Sequence, residues 1–294
     1  MPVLPSYRHV LLLVAATACW GCGTVLSKQV LDRGVAPLTL LVVELAASGL
    51  LLLLALLLLR ARLYWSPAMA RLAALGLLNP GLAYALGLFG LVSITASMSV
   101  LLWATEPILI MLLAVLVLRE RIALATVAAV AVAMVGVMLV IYRPGAAGDA
   151  LGVALTVAAV AACAFYAVLT RRLLLDDSSL AVVLVQQVVA LGFAGVLAGT
   201  ASAAGVADLG LPDDLATWGL AAASGMVYYG LAFWFFVGGL RGVPAAVAGS
   251  FLPLIPVFGL AAAYLLGDRF IDRQWAGAAL VVVAAGAAAT RARR

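Results

Sequence analysis

Glu106 is the residue whose position most needs a reason. It lies near the middle of the stretch 93–120, SITASMSVLLWATEPILIMLLAVLVLRE, with Pro107 directly after it. The apolar run around it is long enough to match the roughly 20 residues an α-helix needs to cross a bilayer. A carboxylate at that depth must face protein or water, because lipid cannot solvate it. Proline withdraws a backbone donor and loosens the helix at the same point. Read back at helical spacing, Trp103, Ser99 and Thr95 share a face with Glu106. That polar and aromatic stripe predicts a cavity. A purely structural reading competes with it, in which Glu106 bonds a neighbouring helix and Pro107 sets a bend.

Other segments repeat the pattern. Trp20, Thr24 and Ser27 share one face of the first segment, and Cys163, Tyr166 and Thr170 share one face of the sixth. Hydroxyls there can meet a polar ligand while ring faces cover an apolar one; helix–helix hydrogen bonding is the alternative use of the hydroxyls. Glu44 lies about two turns into the second segment, and Gln187, beside Gln186, stands at equivalent depth in the seventh. Such groups can bind an ammonium or amide, and either Glu44 or Glu106 could carry a proton in step with substrate. Asn79-Pro80-Gly81 breaks the third segment mid-membrane, which exposes carbonyls only where protein or a wet cavity satisfies them. Its counterpart in the eighth is Tyr228-Tyr229-Gly230. Pro107, Pro253 and Pro256 are the expected hinges. The expected substrate-binding set is Trp20, Thr24, Glu44, Asn79, Ser99, Trp103, Glu106, Tyr166, Gln187 and Tyr228.

These side chains need a scaffold, and composition names it. The chain has 294 residues, 67% hydrophobic and 10% charged, with mean hydropathy +1.25. Soluble domains run at about 45–50% apolar and about 25% charged, so this is a polytopic membrane protein. The net charge of +5 is spread over segment ends, which is no nucleic-acid signature. Cys19, Cys22 and Cys163 lie in apolar segments, and His9 is the single histidine. That leaves no metal set and no nucleophile–base pair, so no metal, no cofactor and no enzymatic activity are expected. No phosphate-binding glycine loop occurs, so ATP is not expected to drive the protein.

Apolar runs fall at 9–30, 37–59, 68–90, 93–118, 122–142, 150–170, 179–204, 214–238, 244–266 and 272–290. They predict an all-α integral membrane fold of ten transmembrane helices. Short connections such as 32–34, 143–145 and 242–244 separate them. With the N-terminus inside, twelve of the 17 Lys and Arg fall on the inner face, which predicts both termini in the cytoplasm. A shift of 143 places Glu44 on Gln187 and Ser27 on Thr170. A shift of 149 places Gly81 on Gly230 and Pro107 on Pro256, and Leu118-Arg119-Glu120-Arg121 meets Leu266-Gly267-Asp268-Arg269 after one deletion. Two five-helix repeats follow, 1–145 and 146–294. Five is odd, so they are inverted, with a substrate site expected at the midplane between them. The fifth and tenth helices, rich in Ala, Val and Gly, are expected at the periphery.

In this order and spacing, Trp20-Gly21 with Lys28, Glu106-Pro107, Arg119-Glu120-Arg121, Gly136, Pro256 and Leu266-Gly267-Asp268 resemble the drug/metabolite transporter superfamily, in its ten-helix EamA-type branch. The resemblance covers nearly the whole chain and implies a secondary transporter working by alternating access. The aromatic interior looks like that of the aromatic amino-acid exporters, which implies export of amino acids, aromatic or hydrophobic ones favoured. The alternatives are other amphipathic metabolites or drugs, then a channel or an intramembrane enzyme. Two departures stand out: Asp268 where the family usually has glutamate, and Glu44 where many relatives carry a basic residue. The implied setting is a bacterial inner membrane, with a small-molecule substrate and the bilayer as partners, as monomer or homodimer and without nucleic acid.

Overall fold

The structure, a computed structural model, describes residues 7–91, 93–94, 96–141, 149–174, 178–207, 209–212, 214–267 and 271–291. Thr95, the turn at 143–145 and the segment Asp268-Arg269 lie outside the described residues.

The described chain is helical. In order, the helices are α1 (Tyr7–Leu31), α2 (Pro37–Leu58), α3 (Pro67–Gly76), α4 (Ala83–Leu91), α5 (Ala96–Trp103), α6 (Glu106–Leu118) and α7 (Leu124–Ile141). Then come α8 (Ala150–Leu173), α9 (Ser179–Ala203), α10 (Leu215–Gly225), α11 (Ala232–Leu240), α12 (Ala245–Gly249), α13 (Leu254–Leu265) and α14 (Asp272–Arg291). Among the described residues, 8 helical runs are long and apolar enough to cross a membrane. The fourth apolar run is not one of them, because it parts at Ala104–Thr105 and leaves α6 with 13 residues. Nor is α14, whose ends carry Asp272, Arg273 and Arg291.

Helix starts follow local chemistry. Pro37 and Pro67 open α2 and α3, where a missing N–H costs nothing. Ser66, Asp149 and Asp214 cap α3, α8 and α10 by accepting a backbone N–H of the first turn.

Two wide, π-type turns interrupt long helices. Leu77–Leu82 joins α3 to α4, and Met226–Leu231 joins α10 to α11. Asn79 leaves helical geometry altogether there, at φ −151°, ψ 123°. Pro80 explains the first turn, since it lacks the donor a regular helix would use. The second has no proline.

Large apolar side chains face outward: Leu53, Leu54 and Leu57 on α2, Leu116 on α6, Val282 and Val283 on α14. The polar side chains Glu44, Ser48, Thr156, Thr170, Gln186 and Gln187 are buried. Lipid tails solvate leucine as well as the interior does, so packing and hydrogen bonds, rather than apolar burial, join these helices.

The packing interleaves the two halves. Helix α1 lies on α11 and α13, and α8 lies on α4 and α6. Helix α2 packs on α9, and α7 on α14. At two crossings a glycine meets backbone: Gly76 faces Gln186, and Gly225 faces Glu44. Helices α7 and α14 touch through Gly136 and Gly277, where an added methyl on Gly136 would stand 2.7 Å from the Gly277 carbonyl oxygen.

Candidate functional site

The breaks in the helices meet around one cavity of about 320 Å³. That volume suits a small organic molecule. Helix α1 contributes Trp20, Gly21 and Thr24, and the first π-type turn contributes Asn79, with Tyr84 just beyond it. The α5–α6 junction brings Trp103, Ala104, Glu106 and Pro107. Helix α8 brings Cys163, Tyr166 and Ala167, while Tyr228, Phe233 and Phe236 come from the second π-type turn and α11. The α12–α13 junction closes the ring with Leu252, Pro253, Ile255 and Pro256, and Gly259 follows on α13.

The wall is aromatic with one carboxyl in it. Trp20 meets Phe233 and Phe236 edge-on, at centroid separations of 5.4 and 5.2 Å. Tyr84 meets Tyr228 at 5.8 Å and Trp103 at 6.2 Å. Ring faces carry partial negative charge, so an organic cation inside such a box is attracted from several sides. Among the described residues, the Glu106 carboxyl has no hydrogen-bond partner. Among the described residues, no lysine, arginine or histidine lines the cavity. Two of the residues lining the cavity also carry a buried polar atom without a partner among the described residues: Trp20 Nε1, a donor, and Asn79 Oδ1, an acceptor. A ligand with an amine and an apolar body would give Glu106 a partner and cover the rings.

The structure thus brings Trp20, Thr24, Asn79, Trp103, Glu106, Tyr166 and Tyr228 to one cavity, with Pro107, Pro253 and Pro256, the prolines expected as hinges, in its wall. It puts Glu44, Ser99 and Gln187 elsewhere. Glu44 is buried between α1, α2 and α10, where Ser27 and Ser224 donate to its Oε1. Gln187 donates through Nε2 to the Tyr229 carbonyl at 3.2 Å. Ser99 is buried but is not among the lining residues. Each is buried against neighbouring helices rather than facing the cavity.

Tyr84, Phe233 and Phe236 line the cavity without having been singled out for it. Tyr84 is five residues after Asn79, and Phe233 five after Tyr228. A π-type turn stacks residues five apart, which a 3.6-residue period does not reveal. The fifth helix is also less peripheral than its bland composition implies. Val137 and Ile141 of α7 reach the cavity.

Tyr166 is fully buried behind this wall and donates through its hydroxyl to Gln186 Oε1 at 2.9 Å, and Gln186 Nε2 donates to the Leu72 carbonyl at 3.1 Å. The chain fixes one wall of the cavity to α9 and α3. At the face where α1 starts, Glu120 Oε1 and Oε2 accept from the Ala245 and Ala246 N–H groups at 2.9 and 3.1 Å. That ties the end of α6 to the start of α12.

Comparison with known proteins agrees with this organisation. The EamA-like transporter family matches twice, over residues 8–142 and 150–289. No curated protein matches the chain. The fold is similar to one solved as "Crystal structure of protein", with TM-score 0.84 at 19% identity, over 99% of this chain and 98% of that one.

Proposed function

We propose, from the premise that this chain belongs to the EamA-like transporter family, that it is a secondary exporter of amino acids, with aromatic or hydrophobic ones favoured. The observation that carries this reading is the cavity itself. One carboxyl, Glu106, stands among aromatic rings where four long helical runs are broken. Glu106 would hold the ammonium group, Asn79 and the Trp20 indole N–H the polar remainder, and the rings the side chain. Ten crossings are proposed, counting the α5–α6 run and α14, in two inverted five-helix repeats, 1–145 and 146–294. Interleaved packing supports that arrangement, because the contacts of α1 with α11 and α13 parallel those of α8 with α4 and α6. Alternating access would work by rocking about Pro107, Pro253 and Pro256. The proposed setting is a bacterial inner membrane with both termini in the cytoplasm.

The test is uptake of a panel of labelled amino acids into protein-containing vesicles, with and without a proton gradient. Saturable counterflow is the expected result. Flux that does not saturate would make the protein a channel, and no movement of any member would remove the amino-acid assignment.

A second substrate class, cationic amphipathic drugs, is favoured by one observation. Among the described residues no basic side chain lines the cavity, so a substrate carboxylate would find no counter-charge from them. Competition of tryptophan counterflow by a hydrophobic amine without a carboxylate separates the two classes.

A further inference from the structure

Away from the cavity, three oxygens from three helices close a triangle. Ser27 Oγ of α1 and Ser224 Oγ of α10 each lie 2.6 Å from Glu44 Oε1 of α2, and 2.7 Å from one another. These are ordinary O–H···O separations, and each side of the triangle needs one proton. Two hydroxyls supply two protons. With the carboxyl ionised, both hydroxyls donate to Oε1 and the Ser27–Ser224 side has no proton; with the carboxyl protonated, one serine donates to the other and every side has its donor.

We propose that Glu44 is a proton-binding site separate from the substrate cavity, and that α1 links its loading to substrate movement. The proposal deepens the transport reading and rests on it for the coupling, but not for the proton. Trp20 and Thr24 of α1 line the cavity, and Ser27, on the same face, holds Glu44. The second π-type turn does the same from the other side, since Tyr228 lines the cavity one turn after Ser224. The Glu44 backbone is pressed against Gly225, so the triangle has little freedom to slide. When the carboxyl O–H breaks, its proton passes to water and the Ser27–Ser224 side loses its donor. Two hydroxyl oxygens at that separation then repel, and α1 parts from α10. Substrate held by Trp20 feels that movement directly.

The groups around Glu44 set its environment. Tyr228 and Tyr229 face it from the second π-type turn. Helix α9, packed on α2, brings the buried Gln186 and Gln187 amides. Toward the end of α1, Lys28 pairs with Asp32, and Arg33 donates to the Thr217 hydroxyl beside Asp214. That charged collar is the exit for the proton. The second repeat places glutamine where the first has Glu44, so one proton per cycle is expected.

Infrared difference spectroscopy of the full chain in lipid, titrated with pH, reads the site without any substrate. The expected result is a protonated-carboxyl band that bleaches on raising pH, survives in Glu106→Gln and is missing in Glu44→Gln. A band that persists unchanged in Glu44→Gln overturns the proposal. Where Glu44→Gln fails to fold, the double variant Ser27→Ala/Ser224→Ala keeps the carboxyl and removes both partners, and its band must move; an unmoved band overturns the proposal too. In vesicles, Glu44→Gln should lose gradient-driven accumulation of labelled tryptophan by about tenfold, keep tryptophan exchange within about twofold, and regain pH response as Glu44→Asp. Wild-type accumulation in Glu44→Gln overturns the coupling. Absence of tryptophan movement in every protein fails the transport reading instead, and the infrared result still decides the proton site.

Discussion

Glu106 and Ile255 both line the cavity, and the 149-residue shift that aligns the halves carries one onto the other. The two repeats therefore differ in charge at this position. Glu106 brings a carboxyl to the wall and Ile255 a branched aliphatic side chain. Removing the carboxylate while keeping its shape should be felt mainly by the charged end of the ligand. Glu106→Gln is expected to weaken binding of an amine-bearing ligand by about 10-fold or more, equivalent to about 1.4 kcal/mol. Quenching of Trp20 and Trp103 fluorescence on titration with tryptophan methyl ester against indole checks this, since the neutral ligand should lose far less.

The α7–α14 seam should be intolerant of added bulk. Gly136→Leu drives a side chain toward the Gly277 carbonyl and Val281, whose Cγ2 would already be 2.8 Å from a methyl. Overpacking of this kind costs about 1–3 kcal/mol. The thermal midpoint in detergent should fall clearly for Gly136→Leu. Gly286→Leu, on the same partner helix but facing open space, should leave it in place.

Asp214 predicts a pH dependence at one helix start. The Thr217 hydroxyl and backbone N–H, both bonded to its carboxylate, hold its pKa below the ordinary value, with Arg33 adding to the effect. A depressed pKa means that the folded state favours the ionised form. The cap therefore stabilises the fold above the ordinary carboxylate range and is lost as pH falls below about 4. Asp214→Asn keeps an acceptor for the backbone but not the charge. Its melting temperature should track the wild type below that range and drop beneath it above. Identical profiles at all pH values would remove Asp214 from the account.

Glu120 joins α6 to α12 through two backbone N–H groups. Glu120→Ala leaves both donors without their acceptor and should loosen the face where α1 starts. A cysteine placed at Val247, one turn into α12, should then react with a membrane-impermeant maleimide several-fold faster than in the parent. Glu120→Gln, with one acceptor oxygen left, should fall between the two.

Much of this site was legible because it depends on local chemistry. Pro80 cannot donate, so a break near Asn79 could be read without knowing any neighbour. Trp20 and Thr24 are four apart within α1, and a regular helix puts such a pair on one face. What escaped was what depends on geometry beyond one helix. Tyr84 and Phe233 come into line only because the turns before them are wider than a regular helix. Glu44 and Gln187 were expected in the cavity, but Glu44 is covered where α2 crosses Gly225 and Gln187 is held by the Tyr229 carbonyl. Val137 was overlooked because valine in an Ala- and Gly-rich helix carries no polar signature.

The interleaving of α1 and α8 bears on how the chain is made. The first helix to enter the bilayer finds its two main partners, α11 and α13, among the last to be synthesised. Until then its Trp20 face has only lipid to lie against. Neither half can therefore reach its native packing while the other is missing, and insertion must leave the early helices loosely associated until translation is nearly finished. Two half-chains made in the same cell should rescue one another, whereas either made alone should be cleared by membrane proteases.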